Sequence, residues 1–342
     1  MKGNYFLGSR QFQVREMSFP PLGDFEVKIQ NMAAGICGTD IHIYHGEKGS
    51  AEVTPPVVLG HEYAGVVVET GRGVTTVRTG DHVTVDPNIY CGTCSYCKAG
   101  KKQLCSNLVA VGVNFDGGFA QYSVVPEGQV YRLNPEVSFA EGAMAEPLAC
   151  CIHGVELAGI ELGDTVCVIG GGAIGLLMVQ LARLKGAARV ILSEPVENRR
   201  RIGLPLGADY AFNPLEKPLD VQLRDTLGIA GAQVVIECVG KTFATQQAVS
   251  AADKGATVLL FSVPQAGAEY GLPLFEVYQK ELTVKGSFIN PDTHQKAVNL
   301  INSGKIKTAP LITHQYPLSQ LEAALFKQMD SDSIKVQVLP QE

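Results

Sequence analysis

Thr165-Val166-Cys167-Val168-Ile169-Gly170-Gly171-Gly172-Ala173-Ile174-Gly175 runs from a short apolar stretch straight into a Gly170-x-Gly172-x-x-Gly175 turn. The apolar run reads as a buried strand, and Ala173 to Lys185 has helical length and composition, closed by Gly186 as a C-cap. A G-x-G-x-x-G match is weak alone and strong between a strand and a helix. Gly170 permits the tight turn, Gly172 lets the backbone approach a pyrophosphate, and Gly175 allows close helix–strand packing. The helix that begins at Ala173 and Ile174 offers free N–H groups and a partial positive charge to phosphates. Arg189 to Ser193 is a second strand, and Glu194 stands at its end, about 20 positions beyond the glycines, where a carboxylate meets the adenosine ribose. A carboxylate there repels a 2′-phosphate and favours NAD over NADP. Arg199, a turn further on, is a cofactor-side residue that would welcome a phosphate instead. A glycine-rich turn that merely packs accounts for the glycines but not for all four parts together.

Outward from this stretch the texture continues as alternating strand and helix, with strand signals at Gln233 to Glu237 and Thr257 to Phe261. That is the pattern of a parallel sheet with crossover helices. The first 150 residues differ: Val57-Val58-Leu59, Ala64 to Val68 and Val83-Thr84-Val85 are short β segments broken by Gly and Pro, as in a β-rich domain with long loops. The end of the chain carries a helix (Gln295 to Ser303) and a strand (Lys335 to Leu339), a tail able to return to the first domain. A chain of 342 residues accommodates about two domains. Hydrophobic residues make up 46% and charged residues 18%, so there is ample core. The net charge of −6 argues against nucleic acid as a partner. No apolar stretch approaches the roughly 20 residues that span a bilayer, and the first residues lack a signal-peptide core. A reducing cytoplasm is the expected location.

Cys91, Cys94, Cys97 and Cys105 form a C-x2-C-x2-C-x7-C run. Four thiolates converging in one loop are the usual closed structural zinc site. An iron–sulfur cluster also takes four, but its bacterial run closes with a three-residue gap and a proline; here Ser106 follows a longer gap. Disulfides need an oxidising compartment, to which nothing points. Elsewhere, Cys37 lies in Gly35-Ile36-Cys37-Gly38-Thr39-Asp40-Ile41-His42, and His61 and Glu62 follow Gly60. One Cys, one His and a carboxylate suit a zinc that keeps one position open. Neither segment is specific alone, since a lone Cys is more often a small hydrophobe. Cys167 reads as core, Cys238 as packing and His153 as a structural histidine on a helix.

These segments in this order, followed by the four-cysteine lobe and the glycine turn, resemble the zinc-dependent medium-chain alcohol dehydrogenases over essentially the whole chain. Glu146-Pro147-Leu148 and His153 resemble the polyol (sorbitol, or L-iditol 2-) branch, while Cys37 to Tyr44 equally resembles L-threonine 3-dehydrogenase. The resemblance implies an α/β protein with a β-rich GroES-like catalytic domain (1–150 and 288–342, structural zinc lobe 88–108) and a Rossmann doubly wound parallel-sheet domain (151–287). It implies two zinc ions per subunit, one catalytic and one structural, NAD, a small-molecule alcohol substrate and a homotetramer or homodimer. Cys37 and His61 match the first catalytic-zinc ligands; Glu62 matches a direct or alternate ligand, and Glu146 the last protein ligand or the group that holds zinc-bound water. Asp40 matches the partner that orients His61. Thr39 matches the hydroxyl that takes the alcohol proton, and His42 the relay's solvent end.

The sequence departs from the family pattern in two places. Gly38 stands where alcohol dehydrogenases proper often carry a basic residue, which suits the polyol and threonine branches better. Ile289-Asn290 stands where mammalian-type sorbitol enzymes place an arginine after the Phe matching Phe288, leaving Asn290 to hydrogen-bond a substrate hydroxyl. The expected reaction is hydride transfer from a secondary alcohol, a polyol or sugar alcohol, to NAD, giving the ketone. L-Threonine 3-dehydrogenase is the alternative enzyme; a non-catalytic relative or a regulatory zinc module conflicts with the presence of Cys37, His61, Glu146, Thr39 and His42.

Overall fold

The computed structural model describes residues 1–47, 52–265 and 267–342. Two compact units emerge, Met1–Ala149 with Asn290–Glu342, and Cys150–Ile289. In the second unit six parallel strands lie in the order Tyr210–Phe212, Arg189–Ser193, Thr165–Ile169, Ala232–Glu237, Ala252–Leu260, Thr283–Gly286. The chain therefore starts in the middle of the sheet, runs to one edge and crosses back. The crevice at that reversal is where this architecture binds ligands. Ile169, Ser193 and Glu237 share one register level, so the turns that follow them open on the same sheet edge. Cys167, Ile169, Ile191, Val235 and Val258 fill the core beneath, which is why these strands read as continuous apolar runs.

The helix Ala173–Leu184 leaves the glycine turn with Gly172 as its N-cap. A Cβ on Gly175 would sit 1.8 Å from the carbonyl oxygen of Gly170, so no larger residue allows this helix to start so close to its strand. Around Gly172 the corresponding space is open, with nothing within 4 Å.

The first unit is built on a seven-stranded sheet whose centre is Glu26–Gly35, flanked by Glu62–Thr70 and by the C-terminal strand Lys335–Leu339. The tail thus does return to the first part of the chain: Gln337 pairs with Gly35 and Val338 with Ala34. Ile29, Tyr63, Val67, Phe119, Val336 and Val338 are buried between the layers. The sequence expectation of a β-rich region passes over the helix Gly38–Tyr44, while Ala145–Ala158 is the helix expected around His153. Gly38–Tyr44 and Ala145–Ala158 are both helical, and both carry expected site residues. A helix of only seven residues shows too little periodicity to be read, and its start at Cys37 has no Ser, Thr, Asp or Asn to announce it. Among the described residues, no helix is long and apolar enough to cross a membrane.

Candidate functional site

Strand Glu26–Gly35 ends where Cys37 N-caps the helix Gly38–Tyr44, and strand Glu62–Thr70 begins at the pair His61-Glu62. Because Gly35 lies directly opposite Glu62 in the antiparallel register, the two ligand-type segments meet at one end of the sheet. The Cys37 sulfur, a His61 ring nitrogen and a Glu62 carboxylate oxygen all lie within 4.8 Å of one another. Asp40, fully buried, ties the segments together. Its Oδ2 accepts the Cys37 backbone N–H at 2.9 Å, and its Oδ1 lies 3.6 Å from His61 Nδ1. One carboxylate therefore fixes the backbone of one donor and faces the ring of another.

The C-terminal strand brings a residue the sequence reading missed. Lys335 is buried; its Nζ pairs with Glu62 Oε2 and donates to the Ile36 carbonyl at 3.0 Å. A Cβ at position 35 would fall 2.2 Å from Glu62 Oε2, so the glycine clears the space this carboxylate occupies. The signal for Lys335 was a lysine between Ile334 and Val336 at the head of an apolar strand, where its burial needs a partner. Glu146, near the start of helix Ala145–Ala158, is buried too. It lies outside the 4.8 Å set and acts on His61 and Lys335 through its charge.

The electrostatics of this hole are those of a cation site. Burial alone pushes both bases toward neutrality, yet His61 is carried well above its ordinary value by Asp40, Cys37 and Glu146. Lys335 is likewise raised against its burial by Glu62, Cys37 and Glu146. Burial pushes Asp40 up to about 6, against the pull of His61. A sulfur, an imidazole and a carboxylate in a negative, dehydrated pocket suit a divalent zinc ion.

Thr39 and His42 stand one turn apart on the helix and therefore share a face. Asp40, Ile43 and Tyr44 occupy the buried side. The His42 ring contacts Glu47, a carboxylate the sequence reading left unmentioned.

In the lobe, all four sulfurs of Cys91, Cys94, Cys97 and Cys105 lie within 4.8 Å of one another. Backbone N–H groups point at them: Cys94 N–H to Cys91 Sγ at 3.4 Å, Cys97 N–H to Cys94 Sγ at 3.5 Å, and Asn107 N–H to Cys105 Sγ at 3.4 Å. Hydrogen bonds from Thr93 and Cys94 bring the Cys91 thiol down to about 5, while burial pushes Cys97 up to about 12. Such a knot of sulfurs fits one tetrahedral zinc.

In the other unit a cavity of about 630 Å³ opens at the C-terminal edge of the parallel sheet, lined by Gly170, Gly172, Glu194, Arg199, Cys238 and Phe243 among others. Glu194 is buried; its Oε2 accepts the Gly171 N–H at 2.6 Å and its Oε1 the Val196 N–H at 2.7 Å. Arg199 Nη1 lies 3.9 Å from Glu194 Oε2. The free helix N-terminus at Ala173 and Ile174 and the open space around Gly172 suit a pyrophosphate.

Other readings divide. Cys167 is core, as expected, and His153 is buried on its helix. Cys238 borders the cofactor-type cavity. Asn290 is a correction: it is fully buried, pairs with Asn88, and donates to Asp86 Oδ1 at 3.2 Å. Its side chain is buried and engaged in an internal network.

The model of the alcohol dehydrogenase GroES-like domain matches residues 23–135, and that of the zinc-binding dehydrogenase matches residues 173–303. A sorbitol dehydrogenase of Halalkalibacterium halodurans is 35% identical over 339 residues, covering 97% of each chain. An L-threonine 3-dehydrogenase of Pyrococcus furiosus is 36% identical over 304 residues, covering 88% of this chain and 87% of its own. Among solved structures, a protein described as a zinc-binding dehydrogenase, from Sinorhizobium meliloti and bound to NADP, superposes with a TM-score of 0.94 at 39% identity, covering 99% of each chain.

Proposed function

The chain belongs to the zinc-dependent medium-chain alcohol dehydrogenases, and from that membership we propose that it oxidises a secondary alcohol, a polyol or sugar alcohol, to the ketone with transfer of hydride to NAD. The observation that carries this reading is the negative pocket of half-buried Cys37 with buried His61 and Glu62, beside Asp40 and Lys335. Zinc bound there supplies a Lewis acid that lowers the pKa of a hydroxyl, and the nicotinamide supplies the hydride acceptor.

The chain's own residues do the rest. Cys37, His61 and Glu62 hold the metal, with Glu146 as the next carboxylate available to it. Asp40 orients His61. The Thr39 hydroxyl receives the alcohol proton without bringing a second charge close to the cation, and His42, on the same helical face, passes it to solvent. Cys91, Cys94, Cys97 and Cys105 hold the structural ion. In the cofactor cavity, Gly170, Gly172, Ala173, Ile174 and Gly175 receive the pyrophosphate. Glu194, in the cavity lining, would accept hydrogen bonds from the ribose hydroxyls and disfavour a 2′-phosphate. Arg199 stands close enough to soften that preference, and the related Sinorhizobium meliloti protein was solved with NADP. NAD is nonetheless expected to win by on the order of tenfold or more in kcat/KM, the size of one unfavourable charge contact.

L-Threonine is the second substrate to consider, because relatives of that activity match the chain as well as the sorbitol enzyme does. The test is a panel of D-sorbitol, xylitol, 2,3-butanediol and L-threonine with NAD and NADP, followed at the nicotinamide absorbance, with zinc measured on the same preparation. Turnover of a polyol or diol over threonine is the expected result; threonine alone would move the assignment to the second reading.

A homodimer or homotetramer is also proposed. Among the described residues, strand Thr283–Gly286 pairs on one side only, and Leu274, Phe275 and Tyr278 are 75%, 73% and 79% exposed on the helix before it. Light scattering on the purified chain reads this directly. A cytoplasmic location is the matching proposal, tested by fractionation.

A further inference from the structure

The helix Gly38–Tyr44 ends in an unusual way. Gly46, at φ +73°, donates its N–H to the Ile43 carbonyl at 3.0 Å, and Glu47 donates its own to the His42 carbonyl at 2.9 Å. These two bonds define a Schellman cap, with His45 as C-cap and Gly46 in the left-handed position. In that motif the side chains three positions before the cap and two after it are brought together, and the contact is ordinarily apolar. Here those two positions are His42 and Glu47. The cap presses a carboxylate onto an imidazole: Glu47 Oε2 lies 2.5 Å from His42 Nδ1, with both side chains partly buried.

A carboxylate is an acceptor only, so the contact assigns the ring: Nδ1 carries the hydrogen and donates it to Glu47. In the neutral ring the other nitrogen, Nε2, then keeps its lone pair. A relay histidine needs that state, because it must take a proton before it can release one. An imidazole without a partner at Nδ1 divides between two tautomers, one of which has no lone pair at Nε2.

We propose that Glu47 is a positioning residue that holds His42 as the Nδ1–H tautomer, making Nε2 the proton acceptor of the alcohol relay. The proposal rests on the reading of His42 as the relay's solvent end. In each turnover the proton released by the substrate hydroxyl passes by way of Thr39 to His42 Nε2. The imidazolium is held by the Glu47 carboxylate, and the proton then leaves Nε2 for buffer, restoring the starting tautomer.

The test compares the zinc-loaded full chain with Glu47→Ala and His42→Ala variants, using the panel alcohol that turns over fastest and NAD at pH 7. Long-range proton–nitrogen NMR of the histidine rings, which needs no turnover, is recorded alongside. For Glu47→Ala, kcat should fall about tenfold, less than the roughly 10²–10⁴-fold a positioned acid–base group itself contributes, because Glu47 acts through His42. Zinc content and NAD affinity should stay unchanged, and the His42 nitrogen shifts should move from the Nδ1–H pattern toward Nε2–H. Should that variant fail to fold, Glu47→Gln, which keeps the side-chain volume, is read in the same way with a smaller loss. Unchanged turnover in the Glu47 variant while His42→Ala is impaired overturns the role of Glu47 alone, whatever the ring shifts do. Unchanged turnover in His42→Ala overturns the relay reading and this proposal with it.

Discussion

Cys91, Cys94, Cys97 and Cys105 come from fifteen consecutive residues, partly open to solvent, and each of three sulfurs accepts a backbone N–H from its own loop. Cys37, His61 and Glu62 come from two separate segments, and the lysine that answers their charge arrives from the last strand. The first cluster is organised by local hydrogen bonds around its sulfurs. The second is organised by burial and opposed charges, with Asp40 and Lys335 as its fixed neighbours. A knot closed on itself has little chemistry left to do. A pocket held from three directions, and still strongly negative, has room to use a cation.

The largest effect that would sharpen this contrast is expected from Cys37→Ser. Zinc content should drop by one of the two sites while the lobe keeps its ion, and turnover should fall on the order of a thousandfold, several kcal/mol of Lewis-acid assistance. Metal analysis and initial rates on one preparation check it; two tight zincs with full turnover would break the comparison.

Lys335→Met tests the other side of the balance. It leaves the Glu62 carboxylate buried without its cation, a change that costs about 3–5 kcal/mol where a buried pair is broken. Denaturant melts of the metal-free variant should show that loss. Added zinc should recover more stability in the variant than in the wild type, since the pocket has become more negative. Equal recovery in both would mean that Lys335 does not share the metal's electrostatic role.

Cys94→Ala should behave in the opposite manner to Cys37→Ser. Losing a lobe thiol should lower the unfolding midpoint by about 5 °C or more, roughly 2 kcal/mol in a chain of this size. The hydride step, measured in a single turnover with deuterated alcohol, should be unchanged. A normally stable variant with a slowed hydride step would reverse the assignment of the two clusters.

How much of this was legible depends on the range of the interactions. The glycine turn and the lobe could be read directly because every contact that defines them is local, and the strands Thr165–Ile169 and Arg189–Ser193 have the bounds their apolar runs suggest. Glu194 was readable for the same reason, being the next polar residue after such a run. Lys335 and Glu47 were not. Lys335 matters only because the C-terminal strand pairs beside Gly35, and Glu47 only because a short helix ends in a left-handed glycine. Asn290 was misjudged because its partners, Asp86 and Asn88, lie far away in sequence and claim it inside the fold.

A further predicted effect concerns that same network, just after the strand leading toward the lobe. Burial pushes Asp86 up to about 6 from its ordinary value of 3.8, the hydrogen bonds of Asn88 and Asn290 opposing. A folded-state pKa raised in this way favours the protonated fold. Its contribution is present below about pH 4 and is lost as pH rises through about 6. Asp86→Asn should therefore stabilise the protein at pH 7 by up to about 3 kcal/mol, with the gain vanishing below pH 4. Melts across that range measure it, and a pH-independent difference would contradict it.

The most direct measurement of the central claim is to strip the protein of metal, return zinc stepwise, and follow bound zinc and NADH formation on the same sample with the best panel alcohol. Turnover should be absent from the stripped protein and should rise with occupancy of the Cys37, His61 and Glu62 pocket, not with that of the lobe. Full turnover from protein holding no zinc, or from protein whose only zinc sits among the four cysteines, would contradict the account.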